Sequence, residues 1–125
     1  RGLGDVYKRQ VKNRLAALTE IGALYGANVV LKGSGSLVYL APTNEDTSYI
    51  KLCSEGNAGM ASAGMGDVLS GIAGAFLAQG LNCRASLCAS VCVHGEAADQ
   101  AAEDLGQVGL KASDLLLYIR RLLNF

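Results

Sequence analysis

The sequence predicts an α/β fold, on three observations. A helical apolar period runs into a short, wholly apolar strand, two further strand patterns follow with a turn between them, and the remainder is helical almost throughout. Over residues 11–26 the side chains of Val11, Leu15, Leu18, Ile21 (or Gly22) and Tyr25 recur at three- and four-residue intervals, which marks an amphipathic helix with Gly26 as its stop. Asn28-Val29-Val30-Leu31 is a continuous apolar run, the pattern of a strand covered on both faces in a parallel sheet. Residues 36–41 and 47–53 are two more strands, separated by Pro42-Thr43-Asn44-Glu45-Asp46, whose composition is that of a turn; they are expected to form an antiparallel hairpin attached to the parallel sheet. Helices are expected over residues 67–79, 84–105 and 113–123, with Gly80 and Gly106 as stops.

Residues 1–10 show neither period, and the chain opens at Arg1 without a methionine. They are expected to be a translated cloning or sequencing-adapter scar and are left out of the fold reasoning. Gly2-Leu3-Gly4-Asp5 imitates a glycine-aspartate pattern found further on, but Val6-Tyr7-Lys8-Arg9 does not begin an apolar helix, so the match is chance.

With 125 residues the chain is one domain at most, small for an enzyme that holds a nucleotide and a second substrate, and a part of something larger is expected. Eleven basic and eleven acidic side chains leave no net field to attract nucleic acid or an anionic membrane, so a small-molecule ligand is the expectation. Half the residues are hydrophobic, yet no stretch approaches the roughly 18 consecutive apolar residues of a membrane span and no signal-peptide pattern is present. A soluble, cytoplasmic protein is expected. The cysteines Cys53, Cys83, Cys88 and Cys92 lie near His94 but include no Cys-x-x-Cys pair. Cys88 and Cys92 fall in an alanine-rich helical run that suits packing as small apolar residues, so neither a metal site nor a disulfide framework is expected.

The chemistry concentrates around Asp67. The helix after it, Val68-Leu69-Ser70-Gly71-Ile72-Ala73-Gly74-Ala75-Phe76-Leu77-Ala78-Gln79, carries no charge on any face and therefore reads as buried. Ser70, Gly71, Gly74 and Ala78 share one side, where another backbone could approach closely. An aspartate in the first turn is ordinarily a favourable helix-end charge. Here Gly64 and Gly66 also remove side chains where backbone N–H groups converge, which gives a concave anion site at a helix N-terminus. Phosphoryl transfer needs donors for the equatorial oxygens and a base for the attacking hydroxyl. The N–H groups of Gly64, Met65 and Gly66 suit the first role, and the Asp67 carboxylate the second.

The full string Gly56-Asn57-Ala58-Gly59-Met60-Ala61-Ser62-Ala63-Gly64-Met65-Gly66-Asp67-Val68-Leu69-Ser70-Gly71 closely resembles the signature of the ADP- or ATP-dependent NAD(P)H-hydrate dehydratases. These are ribokinase-like enzymes that return hydrated NADH and NADPH to working cofactor. Many bacterial members carry proline where this chain has Ala58, and a form ending the bifunctional epimerase-dehydratase resembles it with alanine. The resemblance runs over residues 29–123 and includes Lys32-Gly33-Ser34-Gly35-Ser36, His94-Gly95 and Ala112-Ser113-Asp114-Leu115.

It implies a ribokinase-like three-layer α/β fold of which this chain is the C-terminal part: a buried strand, a β-hairpin and three helices. It implies nucleotide binding by Lys32, Gly33, Ser34, Gly35, Ser36 and Gly66, and substrate binding by Asp67 and Asn57. Asp67 is the implied base toward the 6-hydroxyl of the hydrated nicotinamide, with ADP (or ATP) as phosphate donor and Mg2+ bridging its phosphates; no side chain is identified as a metal ligand. The implied partners are the hydrated cofactor and an adenine nucleotide, without nucleic acid or membrane, and the full-length protein is expected to be a homo-oligomer. A lysine at a strand end followed by glycines also suits phosphate on physical grounds.

Other polar residues have plainer readings. Glu96, Asp99 and Glu103 share one side of their helix and read as its solvated face. Asp114 reads as a first-turn acid and His94 as a packing histidine. Two rival functions remain: a ribokinase-like kinase acting on a small-molecule hydroxyl, and a nucleotide-binding remnant without chemistry.

Overall fold

The computed structural model describes residues 3–33 and 35–124, with side chains from residue 13 onward. The expectations placed on Arg1, Gly2 and Ser34 lie outside the described residues. The chain divides into two compact units, Arg1–Leu52 and Cys53–Phe125.

In the first unit, helix α1 (Leu3–Tyr25) leads into a sheet of β1 (Val29–Leu31), β2 (Ser36–Leu40) and β3 (Tyr49–Cys53), in the order β1-β2-β3; Cys53, the last residue of β3, is the first of the second unit. The helix begins well before residue 11, so backbone set aside as aperiodic is helical. No proline interrupts the sequence there, and each residue added to an existing helix gains a hydrogen bond without a new nucleation cost. The periodic stripe is also narrower than expected: Leu18 is buried, whereas Leu15, Ile21 and Tyr25 are exposed. The close contact is made by Gly22, where a Cβ would sit 2.2 Å from the Tyr39 ring. Leu18, Leu37 and Tyr39 form the core of this unit, with Val29, Leu31, Ala41 and Ile50 against it.

β1 is less covered than was expected of a strand in a parallel sheet. It pairs antiparallel with β2 in the register Val29↔Tyr39, Val30↔Val38, Leu31↔Leu37, and it is half-buried rather than covered on both faces. The cause is chain length. Only residues 32–35 join the two strands, whereas a parallel crossover needs about a dozen residues or more. The turn before β3 forms as its composition suggests: Thr43 N–H donates to the Asp46 carbonyl at 2.8 Å, and the Thr43 hydroxyl accepts from Asp46 N–H at 3.0 Å.

In the second unit, a 3-10 turn (Ala58–Met60) precedes α2 (Met65–Ala78), α3 (Cys83–Leu105), a second 3-10 turn (Ala112–Asp114) and α4 (Leu115–Leu123). Asn82 caps α3 by accepting from Ala85 N–H at 2.9 Å, and Gly106 ends it at φ 84°. Met65, Ala97, Ala98, Ala101, Leu110, Leu115 and Tyr118 form the core. The alanines leave room on α3 for the Met65 side chain to enter, which ties the start of α2 to α3 and α4.

α2 is not buried on every side, contrary to the reading of its uncharged sequence. Met65, Leu69 and Ile72 are buried; Ser70, Gly71, Gly74 and Ala78 are exposed, and no atom stands within 4 Å of where a Cβ on Gly71 or Gly74 would be. The helix packs against α3, where the Ser86 hydroxyl donates to the Ala73 carbonyl at 2.9 Å, and its small-residue side is open. Among the described residues no helix is long and apolar enough to cross a membrane.

Candidate active site

Backbone donors and one carboxylate meet at the start of α2. Val68 N–H is the first to bond back along the helix, to the Gly64 carbonyl at 3.1 Å. The N–H groups ahead of it, on Gly64, Met65, Gly66 and Asp67, are those that no helix can satisfy internally. Gly64 occupies the cap position at φ 84°, a left-handed conformation that strains other residues, and it makes no side-chain cap because it has none. Asp67 is the third residue of the helix and is exposed. The exposed carboxylate therefore stands at the positive end of the helix, on the turn whose N–H groups have no partner within the helix. The sequence had placed it on a buried helix; the open side of α2 is what leaves it accessible.

Met65 has two functions divided between its backbone and side chain. Its N–H belongs to the donor group, while its side chain, 1% exposed, fixes the helix start in the core. Gly66 keeps the second position of the helix free of a side chain.

The segment before the loop is braced by a residue that was read as a solvated face. Asp99 of α3 accepts from Gly56 N–H at 2.8 Å through one oxygen and from the Asn57 side-chain amide at 2.9 Å through the other. Asn57 donates also to the Ala98 carbonyl at 3.0 Å, and its side-chain oxygen accepts from Gly59 N–H at 3.0 Å, capping the 3-10 turn. The Asn57 amide is thus committed to internal partners. Gly59 is required by contact: a Cβ there would lie 2.7 Å from the Gln107 carbonyl oxygen. Glu96 and Glu103 are exposed, as expected of a solvated face; Asp99 is the exception. His94 is buried, in keeping with a packing role. Asp114 accepts from Lys111 N–H at 2.9 Å, which makes it the acid of the second 3-10 turn rather than of α4 itself.

The first unit holds the lysine-glycine segment. Lys32 is exposed, Gly33 and Gly35 form the turn with Gly35 at φ 69°, and Ser36 opens β2. Arg14 of α1, which the sequence did not single out, donates to the Leu31 carbonyl at 3.3 Å and to the Gly35 carbonyl at 2.9 Å. A Cβ on Gly33 would fall 2.8 Å from its guanidinium nitrogen. Arg14 therefore shapes this turn, and Gly33 leaves it space.

A third group lies where β3 ends. The Cys53 thiol donates to the Glu55 carboxylate at 3.0 Å, and the ligating atoms of Cys53, Glu55 and Cys92 all lie within 4.8 Å of one another. Burial pushes the Cys53 thiol up to about 12, reinforced by its bond to Glu55, while that same bond holds the Glu55 carboxyl below its ordinary range. Cys92 is exposed, not packed as a small apolar residue. Local spacing could not reveal this cluster, since Cys92 arrives from a distant helix.

A family model described as NAD(P)H-hydrate dehydratase matches residues 2–121. The chain is 44% identical over 122 residues to the bifunctional NAD(P)H-hydrate repair enzyme of Vibrio cholerae, covering 98% of this chain and 24% of that protein. It is 43% identical over 123 residues to the ADP-dependent (S)-NAD(P)H-hydrate dehydratase of Neisseria meningitidis, covering 98% and 40%. The chain therefore spans about a quarter of the first relative and two-fifths of the second. The ADP/ATP-dependent NAD(P)H-hydrate dehydratase of Bacillus subtilis, co-crystallised with ATP and Mg2+, superposes with a TM-score of 0.75 at 24% identity, over 90% of this chain and 39% of that one. The ribokinase-like α/β fold expected from the sequence is the fold of this chain.

Proposed function

We propose, from the premise that this chain belongs to the NAD(P)H-hydrate dehydratase family, that it forms the C-terminal half of a domain that dehydrates hydrated NADH and NADPH at the expense of ADP (or ATP). The observation that carries the reading is the start of α2: a helix end capped by Gly64, whose first-turn N–H groups the helix itself cannot satisfy, with an exposed Asp67 in that turn.

On this reading the N–H groups of Gly64, Met65 and Gly66 hold the oxygens of the phosphoryl group in flight. Asp67 takes the proton of the 6-hydroxyl as that oxygen attacks the terminal phosphorus of ADP, and AMP departs. Loss of phosphate from the ring, pushed by the ring nitrogen and followed by loss of a proton from the neighbouring carbon, restores the dihydropyridine. Lys32, Gly33, Ser34, Gly35 and Ser36 are proposed to meet the nucleotide. Asn57, assigned to substrate by resemblance, is proposed to act by shaping the loop, because its amide is already bonded to Ala98 and Asp99.

Mg2+ does not find a protein cage here. The one group of three metal-type donors among the described residues is Cys53, Glu55 and Cys92, and thiols are poor ligands for so hard an ion. Mg2+ is proposed to arrive on the nucleotide phosphates, and no step above is assigned to it. Assembly of the full-length protein into a homo-oligomer belongs to the same proposal and is tested by sedimentation.

The test is to supply the full-length protein with NADH hydrate and ADP, or ATP, and follow NADH, AMP or ADP, and phosphate. Stoichiometric appearance of NADH and phosphate is expected. A phosphorylated product that accumulates without elimination would instead establish the small-molecule kinase, and nucleotide binding by calorimetry without any turnover would establish the remnant.

A further inference from the structure

We infer that Cys53, Glu55 and Cys92 form a binding site for a soft divalent cation of the zinc type, separate from the chemistry at Asp67, with a fourth position open to water. The three ligating atoms come from the last residue of β3, the segment just after it and the middle of α3, and they lie within 4.8 Å of one another. Thiolate and carboxylate are the donors that zinc takes, with bonds of about 2.3 and 2.0–2.2 Å. Around a tetrahedral ion such bonds place neighbouring ligand atoms about 3.5–3.8 Å apart. The observed Cys53 Sγ to Glu55 oxygen separation of 3.0 Å is a little short of this, as befits a proton between the two atoms where the cation would sit. Small side-chain rotations would open the triangle, and Cys92 is exposed.

The backbone that carries the ligands is already assembled. Gly95, one turn along α3 from Cys92, lies so close to the strand end that a Cβ there would be 2.8 Å from the Glu55 Cβ and 2.9 Å from its carbonyl oxygen. Cys53 Sγ is 3.8 Å from the Val91 carbonyl oxygen. Gly56, next after Glu55, is held to α3 by Asp99. A cation at this point would fasten Cys53 and Glu55 to α3, within the second unit, immediately before the glycine loop begins. It would thus act on the loop by position, not by touching substrate. Pairs of thiols far apart in sequence select zinc or similar soft ions over Mg2+.

The experiment is a titration of the full-length protein, chelator-stripped and kept reduced, with Co2+ followed by displacement with Zn2+. One equivalent of Co2+ per chain is expected, with a thiolate-to-cobalt charge-transfer band in the near ultraviolet that Zn2+ abolishes. Cys92→Ser is expected to weaken Zn2+ binding at least about 10–100-fold, the range already seen when only an outer partner of a ligand is removed. Glu55→Gln should weaken it while leaving the thiolate band. Cys83→Ser, at the exposed start of α3, should change nothing. A native protein without the band, a Cys92→Ser variant with native affinity, or loss of the band in Cys83→Ser would overturn the inference. None of these outcomes depends on dehydratase activity, so the site stands or falls apart from the proposed reaction.

Discussion

Asp99 joins the polar network that shapes the loop, and its removal leaves two donors, Gly56 N–H and the Asn57 amide, without their acceptor. Asp99→Ala is expected to lower stability by about 1–3 kcal/mol, the usual loss for hydrogen bonds to a charged group. Urea unfolding measures it, and an unchanged midpoint would show that the bracing is idle. The sequence made Asp67 and its glycines legible because helix start, glycines and carboxylate are neighbours along the chain. Asp99 and Arg14 were hidden because their partners are far away in sequence, so periodicity assigned them to solvent or to nothing. The buried Cys53 thiol makes a second prediction. Its folded value of about 12 lies above the ordinary 9.0, so the unfolded chain releases the proton first. The stability from this group is complete below about pH 9 and is lost as pH rises through about 12. In metal-stripped protein, denaturation midpoints should fall over that window, and Cys53→Ala should flatten the fall; an equal slope in the variant would assign it to other groups.

The start of α2 is placed by one apolar side chain. Met65→Ala removes the anchor that packs among Ala97, Ala98, Ala101, Leu115 and Tyr118, and truncations of this kind cost about 2–5 kcal/mol. The expected signature is a lower unfolding midpoint together with weakened nucleotide binding, since the donor group moves with the helix end. Full retention of both would show that the loop needs no anchor. Two helices were readable from their periods and caps to within a few residues: α2 and α3 begin and end near the positions expected, with Gly80 and Gly106 where they should stand, whereas α1 starts eight residues early. The strands were less so. β1 was assigned from its apolar run to a parallel sheet and to burial on both faces; it is half-buried, and its short connection to β2 dictates an antiparallel return there. Composition told of burial; loop length told of direction and was the better guide.

The uncharged surface of α2 was the main misreading, and it bears on the molecule as a whole. Gly71, Gly74 and Leu77 on α2 are exposed, as are Leu116 and Leu117 on α4, and exposed apolar surface marks places where other protein packs. The chain spans two-fifths of the Neisseria relative. The isolated 125 residues are therefore expected to bind a hydrophobic dye and to show no dehydration of NADH hydrate, while the full-length protein is expected to exclude the dye and to carry out the dehydration. Robust turnover by the isolated chain would overturn the proposed division of the domain. The most direct test of the reaction is the turnover of Asp67→Asn in the full-length protein. Because Asp67 is exposed, the substitution should leave the fold and nucleotide affinity near native values. The expected result is a fall in kcat for NADH formation of about 10²–10⁴-fold, the usual loss of a general base, with nucleotide binding by calorimetry preserved. A kcat within about threefold of native would contradict the role of Asp67 as the base.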